Sequence, residues 1–298
     1  MAVAAVLARP SLEDRLLRTT ELLERRGYAL PPDRLASVCL GGPLPPEAVP
    51  GVVAASRRLA FAEGLVVTTG SSARPDSIRR RQASHALAGA LFLGEARHFA
   101  ERLARLCPFV LSVSVAGSLA SGGFAPADDI DLNLVVEDGR RHLAYVALNL
   151  LALLSARRYR GKPVDTHTSR PLAPRVMTAN LILERSQCFP LARQDEDMAY
   201  ELLVAKPLLG GALLREVVSA NPRLLEHFPQ LEGRIGATAD VVSRLPDWLF
   251  PAWLDRPAHG VGATAWRFMQ WTRRHRPDAL ARVAYVRACM RPYTLFDA

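Results

Sequence analysis

The chain has 298 residues, of which 49% are hydrophobic and 22% charged, a composition that excludes an intrinsically disordered protein and is enough for about two domains. The formal net charge of +9 favours an anionic partner such as a nucleotide, a nucleic acid or a membrane surface. Nearly all of this positive charge is arginine, so it also reflects the codon usage that GC-rich DNA imposes.

Residues 1–75 predict a small helical module. Apolar residues at helical spacing indicate a helix over residues 12–26, a second short helix follows Pro32, and a third is expected over residues 50–63. The β-branched run at residues 65–69 predicts a strand, and the loop-like sequence directly after it leaves no second strand. These elements are typical of a winged-helix-like module with an incomplete wing.

The rest of the chain predicts a domain over residues 76–209 and a helical region over residues 210–298. In chain order the elements expected in the domain are a long helix (76–106), two strands (110–116 and 129–136), an apolar helix (143–156) and a third strand (176–184). The helical region is expected to break at Pro222, Pro251 and Pro257, and to bury its tryptophans. We therefore predict the α+β class, with a small mixed sheet flanked by helices.

The residues that carry chemistry lie between the first two predicted strands of this domain. Gly117 and Ser118 follow the first strand, where a glycine lets backbone N–H groups approach a phosphate chain and a serine can donate a hydrogen bond to it. Asp129 and Asp131 open the second strand and alternate onto one face. Adjacent carboxylates are costly without a cation, so we expect them to bind Mg²⁺ or Mn²⁺.

This order of strand, Gly-Ser, loop and Asp-hydrophobic-Asp resembles the signature of the DNA polymerase beta superfamily of nucleotidyltransferases. The resemblance implies a nucleotidyltransferase fold in which Gly117 and Ser118 hold the phosphates of a nucleotide while Asp129 and Asp131 hold divalent metal. Most of the chain is also similar to bacterial nucleotidyltransferase-domain proteins with a winged-helix-like N-terminal region. That wider similarity is carried by short motifs at residues 16–19, 62–66, 179–181 and 206–208.

This chain departs from the family's pattern at the third carboxylate, which the family places on a neighbouring strand. Asn180 is the best-placed residue for this catalytic position, and it is neutral. Glu184, on the same predicted strand, and Asp165, before it, are the alternatives. Lys206 either contacts a nucleotide phosphate as a point charge or is a surface lysine at a helix end.

Two functions are consistent with these residues. The first is metal-dependent transfer of a nucleoside monophosphate from an NTP, expected to be ATP, to an unknown small-molecule or protein acceptor. The alternative is a catalytically silent nucleotide-binding or regulatory protein whose N-terminal module binds nucleic acid or protein. The predicted third helix carries only Arg57 and Arg58 as strong phosphate contacts, which disfavours nucleic acid.

Location is predicted from the cysteines and the apolar runs. The four cysteines are widely spaced and form no CxxC pair, which favours a reducing compartment over a zinc site or a disulfide framework. The most apolar run, residues 143–156, is shorter than the ~20 residues that a membrane span requires. We therefore expect a cytoplasmic protein with no membrane partner.

Overall fold

The structure is a computed structural model that describes residues 10–156 and 176–296. Its helices are α1 (Leu12–Arg25), α2 (Pro32–Ser37), α3 (Ala48–Ala55), α4 (Pro75–Leu106), α5 (Gly117–Ser121), α6 (Arg141–Ser155), α7 (Glu196–Val204), α8 (Gly211–Ala220), α9 (Pro222–His227), α10 (Asp255–Thr272) and α11 (Pro277–Met290). Its strands are β1 (Leu59–Ala62), β2 (Leu65–Thr68), β3 (Val110–Val115), β4 (Ile130–Val136), β5 (Met177–Glu184) and β6 (Lys206–Leu209). This mixture of helices and small sheets confirms the predicted α+β class.

The N-terminal module contains a complete hairpin, so the predicted third helix was wrong in its second half. Helix α3 ends at Ala55, and β1 follows and pairs antiparallel with β2. The turn between the two strands is Glu63-Gly64, with φ values of 49° and 69°, as a two-residue hairpin turn of this kind requires. The missing strand therefore precedes the predicted one. The sequence predicted helix here because alanine and leucine favour helix locally. Pairing with β2 makes the segment a strand instead.

The larger sheet has the strand order β5-β4-β3-β6. Strand β3 pairs antiparallel with both β4 and β6, whereas β4 and β5 are parallel. Lys206, which we expected at a helix end, instead begins the edge strand β6. The predicted break at Pro257 was also wrong, because this proline lies in the first turn of α10, where its missing N–H removes no helical hydrogen bond.

The sheet separates two apolar cores. On one face, Ile130, Leu132 and Leu134 are buried with side chains of α4 and α6. On the other face, Val135 and Leu183 are buried with side chains of α1, α7 and α9. Because α1 belongs to this second core, the N-terminal module packs against elements that follow it by well over a hundred residues in the chain.

The expectation that the C-terminal tryptophans are buried was wrong for three of the four. Trp248, Trp253 and Trp271 are 76%, 69% and 57% exposed, and only Trp266 of this group packs against a core. Trp271 is covered by the guanidinium of Arg274, which lies 4.0 Å from its ring centroid. None of the helices in the described ranges is both long enough and apolar enough to cross a membrane.

Candidate functional site

Gly117 and Asp131 are in direct contact where β3 ends and β4 begins. The antiparallel pairing of these strands brings the two residues together, and the N–H of Ala116 donates to the Asp131 carbonyl at 2.8 Å. Gly117 has a φ of +60°, and a Cβ at this position would lie 2.2 Å from Oδ2 of Asp131. Only glycine fits there, because a side chain would collide with the carboxylate and strain the backbone.

The carboxyl group of Asp131 lies among like charges. Thr178 of β5 donates to its Oδ1 at 2.9 Å. The pKa of Asp131 is raised to about 6, chiefly by burial and also by the charges of Asp129 and Glu201, against the lowering effect of the Thr178 hydrogen bond. Asp129 directly precedes β4. Such a concentration of negative charge favours a bound cation.

Asp128, which the alternation of the motif did not select, holds the loop between Ser118 and β4. Its Oδ2 accepts hydrogen bonds from the Ser118 hydroxyl at 2.8 Å, from the N–H of Ala125 at 3.0 Å and from the guanidinium of Arg81 at 2.5 Å. Ser118 therefore donates its hydroxyl proton within the protein. It must turn away from Asp128 to donate to a phosphate, since phosphate oxygens are acceptors.

Asn180 meets two polar partners on the same face of the sheet as Asp131. Its Nδ2 donates to Oδ1 of Asn133 at 2.8 Å and to Oε1 of Glu201 at 2.9 Å. A bulge in the β4–β5 pairing makes Asn180 the extra residue on its strand, which turns it toward these partners. Asn133 follows Asp131 by two residues and so shares its face.

Glu201 brings a carboxylate from α7 to the position beside Asn180. It is 7% exposed, and its Oε2 lies 3.2 Å from Nη1 of Arg26, the residue directly after α1. Burial acts to lower the pKa of Arg26, but the charges of Glu201 and Asp197 outweigh it and the pKa is raised. The sequence signal that marks Glu201 is its position as an acidic residue within the apolar run of α7.

The two alternatives for the third carboxylate have different outcomes. Oε1 of Glu184 accepts from the N–H of Gly139 at 3.1 Å, and its side chain also caps the turn that follows β5. Glu184 lies four residues beyond Asn180, about 13 Å along the strand at the usual rise per residue, so it does not join the site. Asp165 lies outside the described residues.

Lys206 begins β6, which pairs with β3 on the edge opposite to β4 and Asp131. It pairs with Val115 at the end of β3, and its Nζ donates to the carbonyl of Leu119 at 3.4 Å. Burial lowers the pKa of Lys206, and the charge of Arg34 lowers it further. This lysine is therefore within one short helix of Gly117 and Ser118.

The donor atoms of this site suit a hard divalent cation. Across the described ranges, no three histidine, cysteine, aspartate or glutamate side chains converge as a set of metal ligands. The site instead offers two adjacent aspartates, Asp129 and Asp131. Mg²⁺ is commonly held by one or two carboxylates that are completed by substrate phosphates and water, so this pair fits it without a third acidic ligand.

Comparisons of the chain with protein-family models, with curated proteins and with solved structures found no match.

Proposed function

We propose that this protein is a metal-dependent nucleotidyltransferase with a nucleotidyltransferase fold. It transfers a nucleoside monophosphate from an NTP, expected to be ATP, to a small-molecule or protein acceptor. The observation that carries the proposal is the contact between Gly117 and Asp131, because it places a backbone without a side chain directly beside a carboxylate of raised pKa. A phosphate chain and the cation that accompanies it need these two surfaces side by side.

Each residue of the contact has a distinct role in the proposed reaction. Asp129 and Asp131 hold Mg²⁺ or Mn²⁺, which when bound stabilises the charge that develops on the transferred phosphate and on the pyrophosphate that leaves. Gly117 leaves its backbone open to the phosphate chain, and Ser118 donates its hydroxyl to it after leaving Asp128. The attacking group of the acceptor approaches the α-phosphate in line with the departing pyrophosphate.

The third acidic position is filled by the Asn180–Glu201 pair. Glu201 is held by Arg26 and by the amide groups of Asn133 and Asn180. These contacts occupy both carboxylate oxygens of Glu201, because Arg26 reaches Oε2 and the two amides reach Oε1. The site therefore acts mainly by positioning and electrostatics, and phosphoryl transfer depends chiefly on these two contributions.

The N-terminal module supports the site in this proposal. Helices α1 to α3 with the β1–β2 hairpin have the element order of a winged helix, yet Arg58 is paired with Glu13 and Asp14 and so has little charge left for DNA. In contrast, Arg26 reaches Glu201 in the site. The module is therefore a scaffold of the catalytic region and not a nucleic-acid reader.

Pyrophosphate release tests the proposal. The full chain is incubated with each of the four NTPs, Mg²⁺ and a panel of hydroxyl-bearing small molecules and proteins. Wild type should release pyrophosphate, and Asp131→Asn should release it about a hundredfold more slowly, because a central electrostatic contribution is lost. The exposed Glu232→Gln serves as the control for the loss of one negative charge. If NTPs bind but no pyrophosphate is released, nucleotide sensing replaces catalysis as the function.

A further inference from the structure

Three basic side chains from different elements meet beside the C-terminal end of α5. Lys206 of β6 reaches the carbonyl of Leu119 at 3.4 Å. Nη2 of Arg34, from α2, lies 3.9 Å from where a Cβ on Gly122 would be, so it also sits against the end of this helix. His85 is the third member and lies on α4, which packs against both α5 and β6. The cluster thus forms where the N-terminal module, the long helix and the sheet edge come together.

Nearby positive charges act on two members of the cluster. Burial lowers the pKa of His85, and the charges of Lys206 and Arg34 lower it further. Burial and the charge of Arg34 act on Lys206 in the same direction. In addition, Nδ1 of His85 is buried without a hydrogen-bond partner. Positive charge on His85 and Lys206 is therefore unfavourable unless an anion is bound there.

Neighbouring arginines do not share this arrangement. Arg81, also on α4, is paired with Asp128 at 2.5 Å, and Arg26 with Glu201 at 3.2 Å. Within residues 10–156 and 176–296, no carboxylate lies at ion-pair distance from Arg34, His85 or Lys206. The basic groups around the cluster are thus paired with carboxylates, whereas those of the cluster are not.

We propose that Arg34, His85 and Lys206 form a binding site for a phosphate-type oxyanion. A guanidinium offers paired donors that match phosphate geometry, an ammonium adds a compact charge, and an imidazole adds a donor, which together suit a multiply charged oxyanion. The ligand is either the phosphate chain of the nucleotide or a phosphate carried by the acceptor. The proposal rests on the proposed function only if the nucleotide is the source. In that case Lys206 belongs both to this site and to the nucleotide site.

Calorimetry with tripolyphosphate tests this site without metal or nucleotide. With EDTA present, wild type should bind tripolyphosphate, and Arg34→Gln and Lys206→Gln should each weaken binding about tenfold, as expected for the loss of a charged hydrogen-bond donor. Arg57→Gln is the matched control, because Arg57 is an exposed arginine of the same module that lies outside the cluster. It should change the affinity by less than about twofold. Circular dichroism confirms that each variant is folded.

Two results would overturn the site. Either wild type fails to bind tripolyphosphate, or Arg57→Gln weakens binding as much as Arg34→Gln, which would mean that only the net charge matters.

A parallel titration with Mg²⁺ and ATP separates the two possible sources of the phosphate. If the nucleotide is the source, Arg34→Gln weakens ATP binding too, and tripolyphosphate competes with ATP. If the acceptor is the source, ATP binding is unchanged and tripolyphosphate binds alongside it. Binding of tripolyphosphate by a protein that fails to bind ATP would support this site while refuting the proposed function.

Discussion

Asn180 of β5 donates a hydrogen bond to Glu201 of α7 at 2.9 Å, so an amide on the strand and a carboxylate from the helix meet on the face of the sheet that carries Asp131. The amide supplies the proton that the carboxylate accepts, and Arg26 supplies the balancing positive charge. A neutral residue on the strand is therefore the complement of an acidic residue that reaches it from elsewhere in the fold.

Asn180→Asp should destabilise the metal-free protein. The change removes the donor to Asn133 and Glu201 and places a second carboxylate beside Glu201. We expect a loss of about 2 kcal/mol in the free energy of unfolding, measured by urea denaturation in EDTA. The double variant Asn180→Asp/Glu201→Gln restores a donor facing an acceptor and should recover part of this loss. A single variant as stable as wild type would show that the two side chains do not interact.

Asp131→Asn should stabilise the metal-free protein at pH 8. The pKa of Asp131 in the folded protein is raised to about 6 from its ordinary value of 3.8, so the folded state loses stability as the pH rises through this interval and the carboxylate ionises. Asparagine has no such ionisation. The variant should exceed wild type by about 2 kcal/mol at pH 8, and the difference should vanish near pH 4. Urea denaturation in EDTA at both pH values measures it, and a difference independent of pH would refute the raised pKa.

Gly117→Ala should disrupt nucleotide binding through Asp131. The added Cβ would meet Oδ2 of Asp131 at 2.2 Å and displace the carboxylate. Gly70→Ala is the matched control, since Gly70 also has a positive φ of +85° but no atom within 4 Å of the position that a Cβ would take. Both variants should lose about 1 kcal/mol from backbone strain. Only Gly117→Ala should also weaken binding of Mg²⁺ and ATP in calorimetry, and equal affinities in the two variants would reduce Gly117 to a turn residue.

Arg26→Met should uncouple the N-terminal module from the site. It leaves the buried carboxylate of Glu201 without its positive partner, a change that typically costs about 3 kcal/mol. Adding Glu201→Gln should restore much of the lost stability. Arg58→Met removes an exposed ion pair from the same module and should destabilise the protein far less than Arg26→Met does, because solvent screens the pair. Thermal unfolding compares these variants, and similar losses for Arg26→Met and Arg58→Met would contradict the buried pairing.

The sequence predicted those parts of the site that depend on local order. Alternating residues identified β3 and β4, and the strand order then required Gly117 and Asp131 to lie near each other. Glu201 and Arg26 escaped prediction because each reaches the site only through the packing of a helix against the sheet. Strand β6 escaped because four residues that include a proline carry little strand signal, and only pairing with β3 defines it.

Metal-dependent nucleotide binding tests the central claim most directly, because it needs no knowledge of the acceptor. Isothermal titration of the full chain with ATP is carried out in Mg²⁺ and again in excess EDTA, for wild type and for Asp131→Asn. We predict that chelation weakens ATP binding to wild type at least about tenfold, and that Asp131→Asn removes most of this dependence on Mg²⁺. Equal ATP affinity in Mg²⁺ and in EDTA for the wild-type protein would contradict the assignment of Asp129 and Asp131 as the metal-binding pair.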